Sequence, residues 1–282
     1  MKIIESIEEM REYSQELKKN GLTIGHVSTD SFLHEGHMFL VKSAKENADV
    51  VVLDNCHSVD YITCSPKEYK KRLGAYKETT LENDKKLCAL NNVNVFFAPS
   101  MEQLYLDIPD LYFNEIKAKH PTFHPGDLLC ISAFHSLLKI VMPDVLLLGE
   151  KDFYQNIALK SLVEEFGLPM KLRVVPTVRD SDGSVFSSRK RFSTKAERVK
   201  ALSMPETLKE ISEWSSYPSV KEIKKYFISA IKNAGGQTWY ADVCDATTGE
   251  PVSVVDKEVA LVVATSFGSG MYLSDNILIS PK

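Results

Sequence analysis

Residues 22–53 read LTIGHVSTDSFLHEGHMFLVKSAKENADVVVL, and the order of patterns in this stretch decides the fold. Leu22–Val27 is a short apolar run of the kind that makes a buried strand. Gly36–Asn47 returns apolar residues at helical spacing, and Val50–Leu53 is a β-branched run that predicts a second strand. The same alternation continues outward. Ile4–Lys19 has helical spacing, Leu81–Leu90 predicts a helix, and Val93–Ala98 predicts a strand. Leu128–Val141 reads as a helix, followed by a strand at Val145–Leu148, a helix at Phe153–Phe166 and a strand at Leu172–Val175. Strands alternating with helices imply an α/β fold, a Rossmann-like doubly wound parallel sheet. Such sheets bind ligands beyond the carboxyl ends of their strands. Ser58–Thr80 is polar and punctuated, and is expected to be a long excursion over the site.

The pattern changes after Pro176. Arg179-Asp180-Ser181-Asp182-Gly183 is a polar turn, and long helices are predicted over Thr194–Trp214 and Ser219–Asn233. The end is β-rich, with strands expected at Thr238–Cys244, Glu258–Thr265 and Met271–Ile279. The expected organisation is a Rossmann-like domain over 1–176 and a smaller α+β domain over 177–282.

Composition narrows the function classes. The chain has 282 residues, 34 basic and 38 acidic, for a net charge of −4. That balance argues against a protein that coats nucleic acid, but leaves room for a local cationic pocket. Mean hydropathy is −0.16, and no apolar run reaches the roughly 18 residues of a membrane span. The start, MKIIESIEEMREY, has no signal-peptide core. Cys56, Cys64, Cys88, Cys130 and Cys244 are widely spaced with no CxxC pair. Neither a zinc site nor a disulfide framework is expected, and reduced thiols in a cytoplasmic protein are.

Three segments could carry chemistry. His34-Glu35-Gly36-His37 follows the first predicted strand and opens a helix. A helix N-terminus favours phosphate through its dipole and open amides. Gly36 lets the backbone approach a ligand, and the two imidazoles can donate hydrogen bonds to phosphoryl oxygens. Gly149-Glu150-Lys151-Asp152 lies just past a buried strand, where Lys151 can act as a point charge on phosphate. Ser187-Ser188-Arg189-Lys190-Arg191 places two hydroxyls and three cations in five residues, which suits a polyphosphate loop. In isolation, a chance histidine pair, an ordinary charged turn and a solvated basic turn would look the same.

Taken together the segments are specific. Leu33-His34-Glu35-Gly36-His37 is followed by Phe97-Ala98-Pro99-Ser100, then Gly149-Glu150-Lys151-Asp152-Phe153 with Gln155. Asp182-Gly183, Ser187-Ser188-Arg189 and Asp275-Asn276 complete the series. In order and spacing, over nearly the whole chain, this resembles the pantothenate synthetase (pantoate–β-alanine ligase) family of HIGH-signature nucleotidyltransferases. The resemblance implies an ATP- and Mg2+-dependent acid–amine ligase, a homodimer with a small lid domain. It would act on a small carboxylate and an amine through an acyl-adenylate, releasing pyrophosphate and then AMP. It also implies that His34, His37 and Lys151 stabilise charge on the phosphoryl groups, and so should converge on one cleft. Ser187, Ser188 and Arg189 would hold the β- and γ-phosphates, Gly149 and Asp152 would lie near the ribose, and Gln155 would touch the carboxylate. No metal ligands are expected among the side chains.

The acid-binding half departs from the family. Pro-Thr-Met-Gly is replaced by Ser28-Thr29-Asp30-Ser31, and Ile-Phe-Val-Asn-Pro by Asp54-Asn55-Cys56-His57-Ser58. The family's asparagine falls at His57 and its glutamine at Asp60. Arg-Pro-Gly-His-Phe becomes His124-Pro125-Gly126-Asp127-Leu128, and the lysine of the following helix is not at the matching place. Asp30, Asp54, His57, Asp60 and Gln155 are therefore the expected acid pocket. Carboxylates beside a bound carboxylate are costly unless the substrate also carries a cation or a metal sits there, so a different acid, an amine-bearing one first, is expected, with retained pantoate as the alternative. A nucleotidyltransferase and a non-catalytic nucleotide-binding relative are the competing readings. Retention of both histidines, Lys151 and Arg189 speaks against the second.

Overall fold

Runs of β-branched and aliphatic residues become the central strands, and their burial on both faces follows from helices packing on each side. The computed structural model describes residues 1–30, 32–56, 66–100, 104, 134–188, 190, 193–268 and 272–281, without the side chains at 66, 68, 69 and 72. The chain divides into two units. The first comprises Met1–Gly149 and Tyr154–Val175, and the second Glu150–Phe153 and Pro176–Lys282. The turn at Glu150–Phe153 thus belongs with the C-terminal residues, although the sequence reading assigned it to the first domain.

The first unit holds a six-stranded sheet of β1 (Lys2–Ile4), β2 (Ile24–Thr29), β3 (Val50–Asn55), β4 (Val95–Phe97), β5 (Val145–Gly149) and β6 (Lys171–Val175). The order is β1-β4-β3-β2-β5-β6, and every pair is parallel. Its helices are α1 (Ile7–Lys19), α2 (Glu35–Lys45), α3 (Pro66–Thr79), α4 (Leu81–Leu90), α5 (134–141) and α6 (Phe153–Glu165). Ser6 caps α1 by accepting from the Glu9 amide, acidic residues sit in its first turn and Lys18 and Lys19 in its last, matching the helix dipole at both ends. Ile7, Met10 and Leu17 form its buried stripe and pack with Val52, Val95 and Phe97. α2 contributes Met38, Val41 and Ala44 to a second cluster with Val27, Val51, Leu53 and Phe96. α2 and the turn after it sit close on β2 at Gly25, where a Cβ would lie 3.1 Å from that of Ala48 and 3.3 Å from that of Ala44, tighter than ordinary contact. The doubly wound class expected from the alternation is the class observed.

The second unit holds α7 (Lys195–Ala201), α8 (Ser203–Glu213), α9 (Val220–Asn233) and an antiparallel sheet in the order β7 (Gln237–Asp245), β8 (Val259–Ser266), β9 (Tyr272–Ile279). α7 and α9 each start with a capping box, Thr194 with Glu197 and Ser219 with Glu222. Leu208, Ile211, Ile223, Phe227 and Ile231 pack against Val259, Leu261, Val263 and Phe267.

Three local expectations are corrected. Ile4, read as the first residue of a helix over Ile4–Lys19, instead ends the edge strand Lys2–Ile4 paired with β4; three residues are too few to show a period. The polar run to Thr80 contains the helix α3, whose apolar face is thin. The long helix predicted over Thr194–Trp214 is two, because Pro205 has no amide to offer the Ala201 carbonyl and is accommodated only in a first turn. Among the described residues, no helix is long and apolar enough to cross a membrane. Phe227 is wholly buried, so Phe227→Ala is expected to cost about 3–5 kcal/mol, read as a lower midpoint in urea unfolding.

Candidate functional site

β2 and β5 are neighbours, yet the chain leaves β2 for β3 on one side and β5 for β6 on the other. Such a reversal opens a crevice beyond the carboxyl ends of the two strands. Thr29 and Asp30 lead from β2 into the His34–His37 signature, and Gly149 ends β5.

His34 is the N-cap of α2, and its carbonyl accepts from the amides of His37 at 2.9 Å and Met38 at 3.2 Å. The His34 side chain makes no capping hydrogen bond to α2, and the first turn of the helix lies in its positive field. The two imidazoles stack, with centroids 3.8 Å apart and planes within 14°. One turn of helix thus brings His34 and His37 together around Gly36.

The approach to the signature is held from beneath. Phe32 has a φ of 53°, a left-handed conformation disfavoured for a bulky residue. Its ring meets Tyr76 edge-on at 4.9 Å, and the next amide, of Leu33, donates to Asp84 Oδ1 at 3.0 Å. The Tyr76 hydroxyl donates to Asp84 Oδ2 at 2.8 Å and accepts from the Asn55 amide. Asn55, Tyr76 and Asp84 are all buried. Burial, then the Asp84 charge, pushes the Tyr76 hydroxyl up from its ordinary value, so it remains a donor. Sequence reading missed this network. The available signal was Asp84 itself, a carboxylate on the same helix stripe as Leu81 and Cys88.

The residues expected to form the acid pocket lie in differing surroundings. Asp30 is half-buried beyond β2. Asp54, expected to face the substrate, is wholly buried on β3 and bonded to His26 Nε2 at 2.7 Å. The Thr29 amide also donates to Asp54, at 3.3 Å. Its carboxylate is directed into the protein because His26 and Thr29 supply donors there. Cys56, one residue past β3, is buried beside these acids. Burial first, then the Asp54 and Asp30 charges, pushes its thiol well above the usual range. Gln155 is half-buried in the first turn of α6, and Asn156 beside it donates to the Gly149 carbonyl at 2.9 Å. His57 and Asp60 lie outside the described residues.

The second unit gathers the remaining candidates. Lys151 Nζ donates to the Phe186 carbonyl at 3.4 Å, which brings the lysine beside Ser187 and Ser188; Asp152 is half-buried in the same turn as Lys151. The hairpin before this loop turns at Gly183, whose φ of +82° suits glycine, and Arg179 bridges Val185. Asp182 accepts from both the amide and hydroxyl of Ser184, and the Ser184 hydroxyl accepts from Lys190. The Ser184 hydrogen bond holds the Asp182 carboxyl below its ordinary value. Burial draws the Lys190 ammonium down, opposed by Asp182 and Asp180. Arg189 lies outside the described residues. Among the described residues, no three His, Cys, Asp or Glu side chains are grouped to hold a metal.

A parallel sheet with a signature at its strand-order reversal, together with a small α+β unit, defines the nucleotidyltransferase-like α/β class. The family model described as pantoate-beta-alanine ligase matches residues 2–278, and the chain belongs to that family of carbon–nitrogen ligases. The pantothenate synthetase of Thermotoga petrophila is 32% identical over 99% of this chain and 100% of its own. The solved pantothenate synthetase of Thermus thermophilus superposes with a TM-score of 0.78 at 25% identity, covering 100% of both chains. A pantoate-beta-alanine ligase of Francisella tularensis, described as complexed with beta-gamma ATP and beta-alanine, gives 0.73 at 26% identity over 99% of this chain and 97% of that one.

Two measurements check this geometry. Asp84→Ala leaves the Leu33 amide and Tyr76 hydroxyl buried without their acceptor and is expected to cost about 2–3 kcal/mol in urea unfolding. Burial, then the Asp84 charge, raises the Cys88 thiol to about 12. At pH 8 it is therefore protonated in the native state, and its alkylation by iodoacetamide, followed by peptide mass spectrometry, should run on the order of a thousandfold slower than in urea.

Proposed function

We propose that the protein is an ATP-dependent ligase joining a small carboxylic acid to an amine in two steps. A carboxylate oxygen attacks the α-phosphorus of ATP, the bond to the bridging oxygen breaks, and pyrophosphate leaves behind an acyl-adenylate. The amine nitrogen then attacks the acyl carbon, the bond to AMP breaks, and the nitrogen loses its proton as the amide forms. The observation that carries this reading is the 3.4 Å contact of Lys151 with the Phe186 carbonyl. It joins the Gly149–Asp152 motif to the Ser187–Ser188 loop in a chain of this ligase family. The beta-gamma ATP and beta-alanine named for the Francisella tularensis relative support the same ligand classes.

In this reading His34 and His37 donate to phosphoryl oxygens as their charge builds, and Lys151 neutralises the phosphates in the transition state. The open α2 amides around Gly36 take up a further phosphate oxygen. Ser187, Ser188 and Arg189 hold the β- and γ-phosphates, Gly149 and Asp152 contact the ribose, and Gln155 binds the acid. Mg2+ binds through nucleotide phosphates with few protein ligands, so it would arrive on ATP, and no step is assigned to it. Positioning and fixed charge do the catalysis, without a covalent enzyme intermediate.

The acid is an amine-bearing carboxylate in place of pantoate. Asp30 supports this, as the carboxylate that stands where the family has an apolar residue. Asp54 does not, since its carboxylate is buried and hydrogen-bonded to His26. The protein acts as a homodimer in the cytoplasm; among the described residues Cys56, Cys88 and Cys244 are buried and form no disulfide, which is in keeping with a reducing compartment.

ATP–pyrophosphate exchange tests the reading, with pantoate run against a panel of amino and hydroxy acids. Exchange should depend on an added acid, and an amino acid should give the highest kcat/KM; a maximum with pantoate would return the chain to the family's own substrate. Lys151→Ala should lower kcat by about a thousandfold while circular dichroism stays native, and exchange at the wild-type rate would remove Lys151 from the mechanism.

A further inference from the structure

Asp275 and Asn276 stand far along the chain from the phosphate-directed segments, on β9, yet both side chains are committed to them. Asn276 Nδ2 donates to the Glu150 carbonyl at 2.8 Å, the last carbonyl before Lys151. Asp275 is wholly buried and takes both ends of the Arg179 guanidinium, at 2.8 and 3.1 Å. Arg179 Nη1 also donates to the Gly183 carbonyl at 3.2 Å, closing the hairpin that ends one residue before Phe186. The Glu150 carboxylate accepts from the Thr177 amide at 3.0 Å, at the entry to the same hairpin. Asn276 holds one side of the Lys151–Phe186 contact, and Asp275, through Arg179, holds the other.

We infer that Asp275 and Asn276 are positioning residues that set Lys151 against the Ser187–Ser188 loop. β9 is a suitable base, since all eight of its residues are in register with β8, and a strand fixes geometry better than a loop. The paired fork of Arg179 on a carboxylate fixes direction as well as distance. Hydrogen bonds to the main chain on both sides leave the Lys151 ammonium itself available for phosphate. A shift of about 1 Å in such a group costs about 10²-fold in rate, whereas ground-state binding is much less sensitive. The inference rests on the adenylating role proposed for Lys151.

A double-mutant cycle with Asn276→Ala and Lys151→Ala tests it, by pyrophosphate exchange with MgATP and the most active acid of the panel. Asn276→Ala should lower kcat about 10- to 100-fold and leave both KM values within about threefold. In the Lys151→Ala background it should have almost no further effect. An equal loss in both backgrounds would overturn the inference, because Asn276 would then act elsewhere. Hydrogen exchange by mass spectrometry gives a second readout that needs no turnover: amides at 150–153 should lose protection in Asn276→Ala, and unchanged protection would also overturn it. If Asn276→Ala does not fold, Arg179→Lys, which keeps the charge but loses the fork, carries the kinetic cycle, with hydrogen exchange read at the hairpin amides 179–186 that Arg179 holds. A wild-type protein with no exchange on any acid would defeat the ligase reading instead, and the hydrogen-exchange result would still decide the positioning.

Discussion

Parallel strands cannot be joined by tight turns, so each must be followed by a crossover, and the direction of those crossovers fixes where a ligand can sit. Here the directions part between β2 and β5. Everything assigned to phosphate chemistry in the first unit hangs on that parting. The signature leaves β2 at its carboxyl end, and the amides of α2 point back toward the same edge. A sheet of the same strands in simple sequence order would have no such edge, whatever side chains it carried.

The protein secures its site segments with buried polar groups that are not themselves aimed at a ligand. Asp84 and Tyr76 hold the strained Phe32–Leu33 backbone in the first unit, and Arg179 with Asp275 closes the hairpin in the second. Each arrangement sets buried donors on a buried carboxylate, which offsets part of the burial cost. The return is rigidity where catalytic geometry tolerates little error. A loop held only by apolar packing could slide, because dispersion contacts have little directional preference.

Much of this was legible in the sequence. Periodicity located β2, α2 and β3 because buried parallel strands are continuous apolar runs and amphipathic helices repeat along one face. The HxGH and Ser-Ser-Arg segments stood out through glycine, histidine and clustered cations. What escaped detection depended on partners distant in sequence. Lys2–Ile4 is a strand only because β4 lies beside it. Asp54 looked like a pocket residue, since nothing local indicated that His26, 28 positions earlier, would meet it inside the protein. Asp275 and Asn276 matched a pattern without disclosing a purpose, because their contacts lie more than ninety residues away.

The His26–Asp54 pair also shapes how this chain can change. Both side chains have no exposed surface, so removing either partner leaves the other short of a hydrogen bond away from water, at about 1–3 kcal/mol. Replacing both together by well-packed apolar residues costs less, with the Thr29 amide left to find another acceptor. The two positions are therefore linked in descent. A lineage moving between an apolar pair and this polar one must cross a poorly folded intermediate or change both codons close together. Once acquired, the pair resists reversal for reasons of folding alone, independent of any advantage in substrate choice.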